Sequence, residues 1–189
     1  GKSVDGAVWL DSEMTLPYEF HQYWLRVDDR DLERFLLQLT LLEVEEIQEI
    51  VKEHELSPEI RSGQSLLADE ITKLIHGRDA VIESRLAAEA LFGEGILTTE
   101  MFEALRGIVQ ETKINRSVLS SEEGLIESLV LSKLASSKGE ARRLLKQGGV
   151  SVNRKKTSTS SLELDETIGG KYVLLQKGKK QRNILIVEN

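Results

Sequence analysis

Apolar residues recur at steps of three and four through the first 115 positions of this 189-residue chain, and in the last third the spacing changes to alternation. A helix repeats every 3.6 residues and a strand every two, so the two stretches cannot bury their apolar positions in one kind of layer. The chain must join a helical part to a part that mixes helix with strand. Thr15, Leu16 and Pro17 predict a helix start, with Thr15 as the cap, and Phe20, Trp24 and Val27 follow at helical spacing. Asp28, Asp29 and Asp31 open a second helix bearing Leu32, Phe35, Leu36 and Leu39, with acid at its positive end. Thr40–Val51 predicts a third helix and Gln64–His76 a fourth, terminated by Gly77. Ile82, Leu86 and Ala90 mark a fifth, and Met101–Val109 a short sixth. Short links between them predict neighbours that pack antiparallel.

Beyond Asn115 the pattern turns mixed. Leu125, Ile126, Leu129, Val130 and Leu134 predict a helix. Ser137 with Glu140 makes a capping box that starts another, Lys138–Gln147, ended by Gly148-Gly149. Val150 and Val152 alternate as a short strand, Thr157–Ser161 is a polar loop, and Tyr172–Lys177 with Asn183–Val187 predict a hairpin turning at Gly178, Lys179 and Lys180. The expected divisions are a connecting arm over 1–14, an α-helical domain over 15–115, a polar linker over 116–123 and a small α+β domain over 124–189.

Charge divides along the same line. Up to Asn115 there are 11 basic against 24 acidic residues, a net of −13. From Arg116 the count is 14 against 8, or +6, and 13 of those 14 cations lie between Lys133 and Arg182. The chain is 40% hydrophobic and 30% charged, enough to build cores and too apolar for overall disorder. No apolar run reaches the roughly 18 to 20 residues of a spanning helix, and no charged leader precedes an apolar stretch, so neither a membrane nor an export route is expected. The absence of cysteine excludes disulfides and thiolate chemistry. His21, His54 and His76 are too scattered for a metal set, so no metal is expected.

Three basic groups come from three elements of the last third. Arg142, Arg143 and Lys146 share the polar face of the helix from Lys138; Arg154, Lys155 and Lys156 follow the short strand; Lys177, Lys179, Lys180 and Arg182 gather at the hairpin. Within Lys133–Arg182 only Glu140, Glu163, Asp165 and Glu166 oppose them. Clustered cations gain affinity for a polyanion by releasing its condensed counterions. Tyr172 is the one aromatic in that stretch, so recognition is expected to use shape and backbone, which favours structured RNA.

The run Ser136-Ser-Lys-Gly-Glu-Ala-Arg-Arg-Leu-Leu-Lys-Gln-Gly-Gly-Val-Ser-Val-Asn153 resembles the core of the S4 RNA-binding fold, and Lys177-Gly178-Lys179-Lys180 is similar to that family's end. The N-terminal part extends the likeness. Gly1-Lys2-Ser3 alone suggests a phosphate-binding loop, but the required upstream glycines and following helix are absent. With Ala7-Val8-Trp9-Leu10-Asp11, Pro17-Tyr18-Glu19-Phe20, Asp28-Asp29-Arg30-Asp31, the run Leu67–Gly77 and Glu89-Ala90-Leu91-Phe92, the chain resembles the bacterial-type, class I tyrosyl-tRNA synthetases along nearly its whole length.

That resemblance implies the C-terminal portion of a tyrosine–tRNA ligase: an α-helical anticodon-binding domain followed by an S4-like α+β domain. The family's signature loop reads Lys-Phe-Gly-Lys-Ser, so Lys2 and Ser3 would be its second lysine and last residue, a catalytic remnant. The nucleotide-binding domain would precede residue 1, and this portion alone is expected to be inactive and without a cofactor, ATP and Mg belonging to the parent enzyme. Asp28 matches the position that accepts hydrogen bonds from an anticodon base; its bland role is helix capping. Lys138, Arg142, Lys179 and Lys180 match RNA-contact positions, while Gln176 stands where a basic residue is common. Arg143, Lys146, Lys155, Lys156, Lys177 and Arg182 complete the expected RNA surface. The expected partner is tRNA(Tyr), the location cytoplasmic or an organellar matrix, and the parent a homodimer through its catalytic domain, leaving this portion monomeric. The alternative from another class is a stand-alone S4-type structured-RNA-binding or ribosome-associated protein.

Overall fold

The computed structural model describes residues 8–119 and 121–188, which form two compact units, Gly1–Ala88 and Glu89–Asn189. Lys2 and Ser3 lie outside the described residues.

The first unit is helical: α1 (Pro17–Leu25), α2 (Asp29–Leu39), α3 (Val44–Leu56) and α4 (Ser62–His76), with α5 (Arg78–Phe92) starting in it. The three-and-four spacing turns Phe20, Leu32, Leu36, Ile47, Leu67 and Ile71 into one core, with Trp24 and Phe35 packed edge to face at 5.6 Å beside it. Thr15 does not cap α1: its hydroxyl accepts from the amide of Trp9, and Pro17 takes the first turn, where its missing amide costs nothing. Residues 40–43 precede α3, because the Thr40 hydroxyl donates to the carbonyl of Leu36 and closes α2. Inside the unit, Nε2 of His21 lies 2.8 Å from Asp69, and Arg85 closes on the other carboxylate oxygen. Burial opposes the charge on Asp69, but hydrogen bonds from His21 and Arg85 outweigh it and hold the carboxyl below its ordinary value.

The second unit is mixed. After α6 (Thr99–Leu105) come β1 (Gln110–Asn115), α7 (Arg116–Leu119), α8 (Gly124–Leu131), α9 (Lys138–Lys146), β2 (Val150–Val152), β3 (Lys155–Lys156), β4 (Tyr172–Lys177) and β5 (Gln181–Glu188). The sheet order is β1-β5-β4-β2-β3, with β1 parallel to β5 and the other pairs antiparallel. Val173 and Leu175 join α8 and α9 in one core, while Tyr172, on the opposite face by the two-residue alternation, stacks on Phe102 of α6 at 5.2 Å. Central strands covered on both faces read as the unbroken apolar runs Tyr172–Leu175 and Ile184–Val187.

Two expectations are corrected here. The stretch 110–115 is the edge strand β1, outside any helical array, and only Ile114 of it is buried. The stretch 116–123 is not a free linker: it contains α7, and Leu119 is 2% exposed in the core of the second unit. Pairing of β1 with β5, the Phe102–Tyr172 stack and the bonds of Arg154 and Arg182 to the end of α5 join the stretch from Glu89 to the sheet, so the compact units divide upstream, between Ala88 and Glu89. Among the described residues no helix is long and apolar enough to cross a membrane, and no group of three acidic, His or Cys side chains is placed to hold a metal.

Candidate nucleic-acid interface

Connectivity brings most of the expected cations to one end of the sheet. In α9, Ser137 caps the first turn by accepting from the amide of Glu140 at 3.2 Å. The carboxylate of Glu140 turns back to the amide and hydroxyl of Ser136, one residue earlier than the usual reciprocal partner. Those bonds, reinforced by Lys177, lower the Glu140 pKa to about 2. The far end of α9 closes with Gly148 at φ +65° and the amide of Gly149 on the carbonyl of Leu144, a six-to-one bond that terminates the helix and aims the chain into β2. Gly178, in the β4–β5 turn, donates to the carbonyl of Gly149 at 2.9 Å. That bond, continuing the β2–β4 pairing in which Val150 lies opposite Lys177, sets the turn that carries Lys179 and Lys180 beside the Gly148-Gly149 stop of α9, whose last turn carries Arg143 and Lys146. Register places Lys156 in a cross-strand row with Ser151, Gln176 and Arg182 at the same end.

Ion pairing sorts these cations. Lys138 lies 2.8 Å from Glu127 and 3.5 Å from Glu123, and Arg142 lies 2.5 Å from Glu123, so both are tied to acids of α8 and its cap. The hydrogen bond that Arg142 donates to Glu123 leads the causes that lower the Glu123 pKa, and the one that Lys138 donates to Glu127 leads those that raise the pKa of Lys138. Lys177 pairs with Glu140 at 3.0 Å. Arg182 lies over the ring of Phe92 at 4.9 Å and donates to the carbonyl of Leu91. Arg154, expected in the basic surface, is structural. It donates to the carbonyls of Glu89, Gly93 and Gly95, which close the end of α5. Its φ of +68°, after +47° at Asn153, forms the tight β2–β3 turn.

Six of the ten expected contact residues, Arg143, Lys146, Lys155, Lys156, Lys179 and Lys180, have neither an ion pair nor a side-chain hydrogen bond among the described residues, and all six are exposed. Lys155 and Lys156 line an open cleft of about 840 Å³ that also carries Glu94, Asp165 and Glu166, so their field is partly cancelled. Arg143, Lys146, Lys179 and Lys180 are left as the cleanest cationic group. A count of acids confined to Lys133–Arg182 leaves out Glu123 and Glu127, which reach α9 from 11 to 19 residues upstream. Their spacing of four, Glu123 at the cap of α8 and Glu127 in its first turn, is the available signal. Gln176 donates to the carbonyl of Gly178 and steadies the turn.

In the first unit, Asp28 caps α2 by accepting from the amide of Arg30 at 3.0 Å, and the Arg30 guanidinium forks onto its two oxygens at 2.8 and 2.9 Å. This contact, first among the causes, lowers the Asp28 pKa to about 2. The bland capping role is thus real, yet the carboxylate remains 49% exposed and keeps acceptor capacity toward solvent.

Comparison with known proteins gives these surfaces a context. A family profile described as tRNA synthetases class I (W and Y) matches residues 1–93, and one described as the tyrosine–tRNA ligase SYY-like C-terminal domain matches residues 107–185. The tyrosine–tRNA ligase of Clostridium tetani is 37% identical over 189 residues, covering 100% of this chain and 44% of its own length. That of Streptomyces griseus is 40% identical over 190 residues, with the same two coverages of 100% and 44%. The chain belongs to the tyrosyl-tRNA synthetase family. It spans about 44% of the length of these curated relatives. A C-terminally truncated mitochondrial tyrosyl-tRNA synthetase from Aspergillus nidulans aligns with TM-score 0.44 and 37% identity over 46% of this chain and 25% of its own. The cation-bearing second unit contains the whole match to the C-terminal domain profile, and Asp28 lies in the class I match.

Proposed function

We propose that this chain supplies the tRNA-binding portion of a tyrosine–tRNA ligase, the parent attaching tyrosine to tRNA(Tyr) with ATP, and that its own residues contribute affinity and selection. The second unit acts as an S4-like module. Arg143 and Lys146 from a helix end, with Lys179 and Lys180 from a hairpin, meet phosphates of a folded RNA without having to leave a carboxylate first. The observation that carries this reading is the Gly149–Gly178 bond, which joins the end of the helix that bears one pair to the turn that bears the other. Lys155 and Lys156 extend the surface more weakly, and Lys138 and Arg142 brace α9 against α8. Asp28 accepts from an anticodon base, since a carboxylate matches the amino and imino donors of base edges. Names shared along the full chain do not favour the stand-alone reading.

A titration of tyrosine tRNA against an unrelated tRNA at several salt concentrations tests the proposal. Tighter binding of tyrosine tRNA, with log K falling linearly in log salt, is the expected result. Equal, salt-insensitive binding of both would overturn it.

A further inference from the structure

The α1–α2 junction that displays Asp28 is held from beneath by more polar machinery than packing requires. Arg61 donates to the carbonyl of Leu25 at 2.9 Å and of Val27 at 3.0 Å, closing α1. Gln64 reaches the carbonyl of Val27 and the carboxylate of Asp29. From α3, Nε2 of His54 meets the same carboxylate at 3.1 Å. The His54 side chain is 4% exposed while Asp29 is 55% exposed, so a buried imidazole reaches out to hold a surface acid in the first turn of α2. Room for that ring is made by Gly63, where a β-carbon would stand 3.3 Å from His54 Cγ and collide with Leu32.

This arrangement is costly to bury. His54 Nδ1 and Gln64 Oε1 have no hydrogen-bond partner among the described residues, and an apolar pair would fill the same space without leaving polar atoms unsatisfied. What the polar side chains add is direction. Asp29 precedes Arg30 and follows Asp28, the two exposed side chains locked to each other at the tip, so fixing the Asp29 carboxylate fixes the turn from which both project. Asp31, the third acid of the run, pairs with Arg34 on its own helix and takes no part.

We infer that His54 is a positioning residue for base recognition: acting through Asp29, it sets the angle at which Asp28 and Arg30 meet an RNA base. The inference rests on the reading of Asp28 as a base contact. His54 touches no RNA in this account, and the bond to Asp29 is what its ring contributes.

The test uses this chain with two RNAs, a tyrosine tRNA and the same tRNA with one anticodon base changed, and reads the ratio of their Kd values. Lost stability lowers the active fraction equally for both RNAs and leaves the ratio alone. Asp28→Ala is expected to reduce the ratio about tenfold, the discrimination of a good two-bond base contact. His54→Ala should reduce it several-fold, and His54→Gln, whose amide reaches where Nε2 lies, should restore it. Asp29→Ala, at a surface position, should match His54→Ala and decides the matter if the histidine variant fails to fold. A lowered ratio for Asp28→Ala with an intact one for Asp29→Ala or His54→Ala would overturn the positioning role and leave the base contact standing. An unchanged ratio for Asp28→Ala would remove the base contact and this inference with it.

Discussion

The two units use charge in opposite ways. In the helical unit three acids are pinned by side-chain partners: Asp28 to Arg30, Asp29 to His54, Asp69 to His21 and Arg85. In the mixed unit a helix end and a hairpin tip carry four cations with no ion pair or side-chain hydrogen bond among the described residues, while other cations of the same helix are tied to acids. A pinned group presents a direction and suits hydrogen-bonded selection of a base; a loose group presents charge and suits a phosphate, whose approach needs no fixed angle. The number of cations in a stretch is therefore a poor guide to how many meet a polyanion. Pairing decides.

The largest expected effect sharpens that contrast by converting one class into the other. Glu123→Gln with Glu127→Gln removes the acids that hold Lys138 and Arg142. Two cations released to phosphate should steepen the plot of log K against log salt by about 1.5 and tighten RNA binding at least tenfold at low salt. An unchanged slope would mean that α9 faces away from the RNA. Next is Arg154→Ala, which removes hydrogen bonds to three backbone carbonyls. Thermal or denaturant unfolding should show about 2 kcal/mol of lost stability, with the salt slope of RNA binding unchanged; a flattened slope would return Arg154 to the contact surface.

Acid separates the units more gently. Burial lowers the His76 pKa below its ordinary 6.5, so the folded helical unit resists a proton that the unfolded chain accepts, and stability falls as pH drops below about 6.5. In the mixed unit, Glu140 is held at about 2 against an ordinary 4.5, so its contribution is present above 4.5 and is lost as pH falls from there through about 2. Melting followed by unit-specific probes should show the helical unit weakening first. Glu140→Gln should remove the second change.

Much of this architecture is legible in the sequence because its signals are local. The Ser137–Glu140 cap, the Gly148-Gly149 stop and the Gly178 turn act within a few residues, and the helix and hairpin appear close to where they are expected. Strand β1 escapes because Gln110–Asn115 buries one residue and acquires its identity only by pairing with β5, seventy-three positions on. Lys155 and Lys156, expected only to follow the short strand, form an edge strand of their own, where lysine also discourages pairing with another chain. Within the candidate site, the residue types at the sheet end are visible in sequence, but which cations stay free depends on the packing of α8 against α9, a tertiary fact. The bracing of Asp29 by His54 is likewise invisible from the sequence, since twenty-five residues separate them.

The central claim is that loose cations, and not tied ones, form the polyanion surface. Salt slopes of tRNA binding measured side by side for Lys179→Ala/Lys180→Ala and for Lys138→Ala/Arg142→Ala test it most directly. The first pair should lose roughly 1.4 to 1.8 from the slope, two phosphate contacts' worth, and the second should leave it unchanged. Equal losses, or a loss confined to the second pair, would contradict the account.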